Sequence, residues 1–257
     1  MRLNIRILIL ACLMCAFSAN AQMSQHILQS RAFSDLYISG SVNVECRQSL
    51  DSVGMIVFSA TPQVYRKIKC YNEGDRLNIS LDRTGTLDLS KNLSKIIVYY
   101  SGALSTISYT GSGRVVVANP PVGRNVAVLL TGSGNLKVGA IKAQHLSCSV
   151  AGSGNLSISG NTIVENITCT VSGSGAVEIA HANATKTSAT VKGPGDFIIN
   201  GSSNEASFAI KGSGNIDAST LDCAKMTVGI YGSGRVYCSN RVTNLISSGR
   251  KENIIIR

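Results

Sequence analysis

The chain has 257 residues, of which 44% are hydrophobic and 5% aromatic, with 25 glycines, no tryptophan and a formal net charge of +10. That apolar content is enough for a buried core, but so much glycine with so few aromatics argues against a globular α/β enzyme. Lys137, Lys142, Lys192, Lys211, Lys225 and Arg235 are scattered rather than gathered into a stripe with stacking aromatics. That sets aside a nucleic-acid surface and leaves a solvated exterior with mild attraction to anionic glycans or lipids.

Residues 1–21 read as a secretory signal: Arg2 and Arg6 form a basic start, Ile7 to Phe17 an apolar core, and Ala19-Asn20-Ala21 a cleavage site before Gln22. Removing it would lower the net charge by two, from +10 to +8. The apolar run is shorter than the ~20 residues of a spanning helix, and no other segment fits a span, so the expectation is a soluble mature chain after export. Cys12 follows Ile9-Leu10-Ala11 and resembles a lipoprotein box, but cleavage there would leave a very short signal core.

Residues 22–105 are β-rich without a regular repeat. Leu36 to Cys46 alternates apolar residues around Ser39-Gly40-Ser41. Met55 to Ser59, Leu77 to Leu81 and Ile96 to Tyr100 read as strands, and Asn72-Glu73-Gly74-Asp75 reads as a turn between Ile68–Tyr71 and Leu77. A stack of strands needs its end covered, and this segment is expected to supply an N-terminal cap with irregular rungs.

From residue 106 one tripeptide recurs. Gly-Ser-Gly begins at Gly111, Gly132, Gly152, Gly173, Gly212 and Gly232, and Gly193-Pro194-Gly195 occupies the remaining place; the steps are 21, 20, 21, 20, 19 and 20 residues. A period near 20 marks stacked repeats that bury their apolar faces against neighbours. Two and four residues before each first glycine stand columns such as Leu130, Val150, Val171 and Val128, Cys148, Cys169. Four and six after it stand Leu136, Leu156, Val177 and Val138, Ile158, Ile179. Period two means strand, so each unit reads as strand, glycine corner, strand and a looser return. The corner is expected because glycine tolerates φ > 0. An antiparallel meander is the rival, but the constant register favours an all-β parallel β-helix of about 20-residue rungs, right-handed as parallel crossovers are. Residues 106–257 form this solenoid, with a degenerate last rung at Leu245–Gly249 and Asn253–Arg257.

These corners, with Asn135, Asn155, Asp196 and Asn215 directly after them, the signal segment and the Leu36–Cys46 strand pair, give a chain that resembles the bacterial family described as "putative auto-transporter adhesin, head GIN domain" from about Phe33 onward. The resemblance implies a secreted or envelope protein of Gram-negative bacteria with a right-handed parallel β-helix, and it brings no agreed catalytic residues. Gly193-Pro194-Gly195 departs from the corner rule. With Arg257 last, no translocator barrel follows, so a self-sufficient autotransporter is not expected.

Chemistry-bearing residues are sparse. His26, His145 and His181 lie in separate segments without zinc-ligand spacing. Of eight cysteines, two lie in the signal, leaving Cys46, Cys70, Cys148, Cys169, Cys223 and Cys238. Export permits disulfides. Cys148 and Cys169 share a column in adjacent rungs, close enough for a bridge but with parallel side chains, and both the bridge and a free buried pair stay open. The Asn/Asp column suits a turn residue tolerant of the left-handed region better than calcium, whose repeats run about nine residues. Glu178 and Asp217 share an outward column with Ile198 between them, too far apart for paired carboxylates. Neither a cofactor nor a metal is expected.

The outward positions three and five before the glycines are mostly hydroxyls, two per rung at Ser147 and Ser149, Thr168 and Thr170, and Ser188 and Thr190. They predict a flat polar face: a tolerated β surface, a glycan or partner site, or, least in keeping with its serines, an ice-binding face. The reading is an exported, non-enzymatic surface module, an adhesin holding a glycan, an envelope component or a protein on that face. A carbohydrate-active β-helix enzyme, which would want aromatic platforms and clustered carboxylates, and a periplasmic scaffold are the alternatives. Oligomeric state, and periplasm against outer membrane or exterior, stay open.

Overall fold

The computed structural model describes residues 22–82, 88–102, 104–118 and 122–257. Residues 1–21, the expected signal segment with Cys12, lie outside the described residues. The strands come in chain order. The N-terminal part holds β1 (Ser24–Gln29), β2 (Asp35–Ser39), β3 (Val44–Gln48), β4 (Met55–Ala60), β5 (Ile68–Glu73), β6 (Arg76–Leu81) and β7 (Ile96–Tyr100). The repeats follow as β8 (Thr106–Gly111), β9 (Arg114–Val117), β10 (Val122–Gly132), β11 (Asn135–Val138), β12 (Ile141–Gly152), β13 (Asn155–Gly173), β14 (Ala176–Val191) and β15 (Asp196–Ile210). Last come β16 (Ile216–Ala218), β17 (Leu221–Ile230), β18 (Val236–Cys238), β19 (Asn244–Gly249) and β20 (Ile254–Ile256).

The repeats stack as a parallel β-solenoid, not a meander. The strand before each corner builds one face, in the order β8, β10, β12, β13, β14, β15, β17, β19, all parallel. The strand after each corner builds a second face, in the order β9, β11, β13, β14, β15, β16, β18, β20, also parallel. The return, expected to be loose, is a third strand face in the middle rungs, where Thr162 pairs with Ala182 and Ala182 with Gly201. Its inward residues Ile141, Thr162, Ala182 and Leu221 are buried, and so must alternate with outward ones as strand residues do.

The stack does not follow chain order at its beginning. The strand pair β2–β3 sits inside it: β2 lies between β6 and β8, and β3 between β7 and β9, all parallel. Ser39-Gly40-Ser41 is therefore a true corner directly beneath Gly111, joined to it by Gly40 N–H donating to the Thr110 carbonyl at 2.8 Å and by the Ser41 and Ser112 hydroxyls at 2.7 Å. The Tyr109 hydroxyl adds a bond to the Gly40 carbonyl at 3.3 Å and accepts from Gly113 N–H. Beyond β6 and β7 the strands turn antiparallel: β5 on β6, and β4 then β1 on β7.

The corner glycines are required chiefly by stacking. Positive φ occurs at Gly132, Gly152 and Gly173 but not at Gly111, Gly193, Gly212 or Gly232, so the conformational reason holds for only some corners. At the second glycine of the corners from Gly154 onward an added Cβ would drive into the carbonyl oxygen of the equivalent glycine one rung below, and at Gly113 into the Val42 carbonyl. A rung spacing of ~4.8 Å leaves no room for a methyl group there.

The apolar columns named from the sequence are buried throughout. Where the inward residues shrink to Ala182, Ala184 and Ala189, the next rung supplies Phe197 and Phe208, whose rings lie 6.2 Å apart and tilted by 59°. Thr187 also points inward; its hydroxyl donates to Ser203 Oγ at 3.1 Å, which donates to the Glu205 carbonyl at 2.9 Å, so this polar pair is satisfied.

Gly154→Ala is expected to lower stability by at least about 1–3 kcal/mol through overpacking, whereas Ser153→Ala, at the exposed tip of the same corner, should change it by less than about 0.5 kcal/mol. Urea unfolding midpoints of the two variants check this.

Candidate functional site

The face before the corners carries the predicted hydroxyls. Strand alternation turns Leu146, Cys148 and Val150 inward, so Ser147 and Ser149 must face out. The pairing then stacks Ser147, Thr168, Ser188, Ser207 and Thr227 in one column, and Ser149, Thr170 and Thr190 in the next, ending at Ala209 and Gly229. All six predicted residues are thus brought together, with Ser147, Thr168 and Ser188 exposed and the nearer column to the corner half-buried.

A third outward column lies beside these, seven residues before each first glycine: Asn125, His145, Asn166, Lys186, Glu205, Lys225. One more step of the same period-two count finds it in the sequence. The Asn166 amide and His145 Nδ1 lie 3.1 Å apart, and Lys186 Nζ lies 3.4 Å from Glu205 Oε2. Lys186 and Glu205 are well exposed, so the pair contributes little to stability. Between this column and Thr168, Ser188, Ser207 and Thr227 runs a shallow groove of about 270 Å³ floored by Ile167, Thr187 and Ala206.

Toward the N-terminal end the same face carries aromatics that a count confined to the repeats overlooks. Tyr37 pairs with Ser108 on one side and with Asn78 on the other, and Asn78 pairs with Tyr71. The Arg76 guanidinium lies 4.1 Å from the Tyr37 ring centroid, within cation–π range. Tyr71 is 54% exposed.

The second face resolves the Asn/Asp column. Asp196 Oδ1 accepts from Asn215 N–H at 2.9 Å and Asn215 Nδ2 at 3.1 Å, Asn215 Oδ1 accepts from Arg235 N–H at 3.1 Å, and Asn43 Oδ1 accepts from Arg114 N–H at 3.0 Å. These side chains cap the backbone of the next rung. Of the predicted column, Asp196 and Asn215 cap in this way, while Asn135 and Asn155 meet side chain to side chain, Asn155 Nδ2 donating to Asn135 Oδ1 at 3.4 Å. No cluster of His, Cys, Asp and Glu among the described residues could hold a metal ion. On the same face Glu178 and Asp217 flank Ile198 in the register, and Asp217 is taken up by Ser219, whose Oγ donates to it at 2.6 Å.

Cys148 and Cys169 pair directly across β12 and β13, both buried and both free thiols; Cys46, Cys223 and Cys238 are also buried and free, and Cys70 is free and partly buried. Burial pushes the Cys148 thiol up to about 12, and it pushes Cys169 well above the usual thiol range with a contribution from neighbouring Cys148. Thiols so disposed are weak nucleophiles and serve as packing.

The model of the family described as "Putative auto-transporter adhesin, head GIN domain" matches residues 32–196 and 163–249. The fold is similar to that of a putative adhesin from Bacteroides fragilis NCTC 9343 (TM-score 0.72, 18% identity), with 90% of this chain and 98% of that chain covered. It is also similar to a putative lipid binding protein from Parabacteroides distasonis ATCC 8503 (TM-score 0.61, 18% identity) and a putative adhesin from Parabacteroides merdae ATCC 43184 (TM-score 0.61, 18% identity), each with the same two coverages. No curated protein sequence matches.

Two outcomes follow for these side chains. Asp196→Ala should cost about 1 kcal/mol for the lost acceptor, while Asp196→Asn, which keeps an acceptor oxygen, should be nearly neutral; thermal unfolding with and without EDTA measures both and should not respond to the chelator. For the thiols, the folded value lies above the ordinary ~8.5 of an unfolded cysteine. Their contribution is therefore complete below pH ~8.5 and lost as pH rises through the folded values, about 12 for Cys148, by about 1.4 kcal/mol per pH unit for a thiol ionised only in the unfolded chain. Cys148→Ala/Cys169→Ala should flatten that alkaline decline in urea titrations from pH 8 to 11.

Proposed function

The chain belongs to the family described as "putative auto-transporter adhesin, head GIN domain", and on that footing we propose that it is an exported, non-enzymatic surface module that holds a glycan on the face before the corners. The observation that carries this reading is the continuity of that face: hydroxyls in two adjoining columns at Ser147, Ser149, Thr168, Thr170, Ser188 and Thr190, with a groove beside them and Tyr37 and Tyr71 farther along. Hydroxyls repeated at the ~4.8 Å rung spacing present donors and acceptors at regular intervals, and a tyrosine ring offers an apolar face to a pyranose. A protein or another envelope component on the same face is the alternative ligand.

The non-catalytic reading is supported by how the carboxylates are placed. Glu205 stands between Lys186 and Lys225 in its column, Asp196 caps a neighbouring rung and Asp217 binds Ser219. Acid–base hydrolysis needs two carboxyls facing one bond. Export rests on the signal at residues 1–21, and no helix among the described residues is long and apolar enough to cross a membrane.

The test is a glycan and polysaccharide array probed with the chain from Gln22 onward and scored for retention and for released product. Retention without release is expected, and Thr168→Lys/Thr170→Lys should abolish it while leaving the melting temperature within a few degrees, since both side chains point outward. Product release would refute the non-enzyme reading. Retention unchanged in the double variant would move the site off this face.

A further inference from the structure

The two ends of the stack differ in what they leave unpaired. In a parallel ladder each residue directs its N–H and C=O to the same neighbouring strand, and successive residues alternate between the two sides. On the face before the corners, Val191 and Ile210 carbonyls accept from the rung above, at Lys211 and Tyr231, and Ile230 accepts from Arg250 at 2.9 Å. Gly249 pairs with Ile230. Gly249, and by alternation Ser247 and Leu245, therefore aim their backbone groups off the end of the solenoid. On the second face Arg257 N–H donates to the Cys238 carbonyl at 2.9 Å, which turns the groups of Ile256 and Ile254 outward in the same way. Among the described residues β19 pairs only with β17 and β20 only with β18.

This open edge is basic. Arg235, Arg241, Arg250, Lys251 and Arg257 all belong to the last two rungs and are exposed, none is in an ion pair among the described residues, and Glu252 is the one acidic side chain from Gly234 to Arg257. Ile246 and Ile256 stand 47% and 60% exposed on the same strands. The edge strands at the other end differ: β1 carries no Lys, Arg, Asp or Glu, and the cation of β5, Lys69, is matched by Asp82 at 2.8 Å. A second copy approaching the basic edge with its own would bring like charges together, and the neutral N-terminal end offers no complement.

We propose that the C-terminal end of the solenoid is a strand-addition site for an extended acidic segment of a partner protein. The segment would continue the ladder of β19 through the outward groups of Leu245, Ser247 and Gly249, with its carboxylates toward the arginines and its apolar residues against Ile246. Main-chain bonds supply affinity in such docking, and the flanking charges select the partner.

The experiment is fluorescence anisotropy of the chain from Gln22 onward with a labelled peptide of alternating Glu and Val, eight residues long, against the Lys-Val counterpart. Binding of the acidic peptide alone is expected, weakening at least about tenfold from 50 to 500 mM salt. Ser247→Pro removes an N–H that the internal ladder does not use, so it should abolish binding while leaving the fold intact. Arg250→Glu/Lys251→Glu, which changes only exposed side chains, should do the same and serves if the proline variant fails to fold. Equal binding of both peptides, binding undiminished in either folded variant, or no binding of the acidic peptide at 50 mM salt would overturn the proposal.

Discussion

Everything in this molecule depends on how closely one glycine corner can lie on the next. At the second glycine of each corner the carbonyl of the rung below occupies the place where a Cβ would stand. Because the corners nest this tightly, the flanking strands meet in one register over the whole stack, and each side chain sits above its equivalent. Inward columns then close into a continuous core and outward columns into continuous stripes. The alignment of the hydroxyl columns on one face and of the Asn and Asp column on the other follows from that geometric requirement.

The repeating part of this arrangement was legible in the sequence because its cause is local and periodic. Glycines at a fixed interval with alternating apolar residues on both sides leave few solutions, and residues such as Leu136 and Val150 had to be core. What could not be read was the order of stacking at the start. Ser39-Gly40-Ser41 looks like a degenerate corner, and so it is. Its place between β6 and β8 depends instead on contacts 71 residues apart in sequence, such as Ser41 with Ser112, for which the chain carries no periodic signal. The return strands were hidden for a related reason: Ala182, Ala184 and Ser203 look polar or small in sequence, and only the bulk of Phe197 and Phe208 beside them lets that side close as a buried face.

The candidate site divides along the same line. The hydroxyl columns follow from register counting and fall where the count puts them. The neighbouring Lys186–Glu205–Lys225 column obeys the identical rule two residues farther from the corner. Tyr37 and Tyr71, by contrast, join the face only through the irregular strands β2, β5 and β6. The scaffold repeats small polar groups on this face, and the carboxylate beside them, Glu205, stands between Lys186 and Lys225, which is the arrangement the proposed binding role draws on. Its rigidity comes from the core, and so a face of individually weak hydroxyl contacts can act together without ordering cost at the moment of binding.

All corners, including the first in sequence, stack in one register. Replacing Ser41 and Ser112 with cysteine and oxidising the protein tests this most directly, since the two hydroxyls lie 2.7 Å apart and a disulfide between those positions would need little movement. Rapid formation of an intramolecular crosslink between residues 41 and 112, identified by peptide mapping and accompanied by an unchanged circular dichroism spectrum, is the predicted result. A folded double variant that forms no such crosslink would contradict the insertion of β2–β3 into the stack, and with it the continuity of the face.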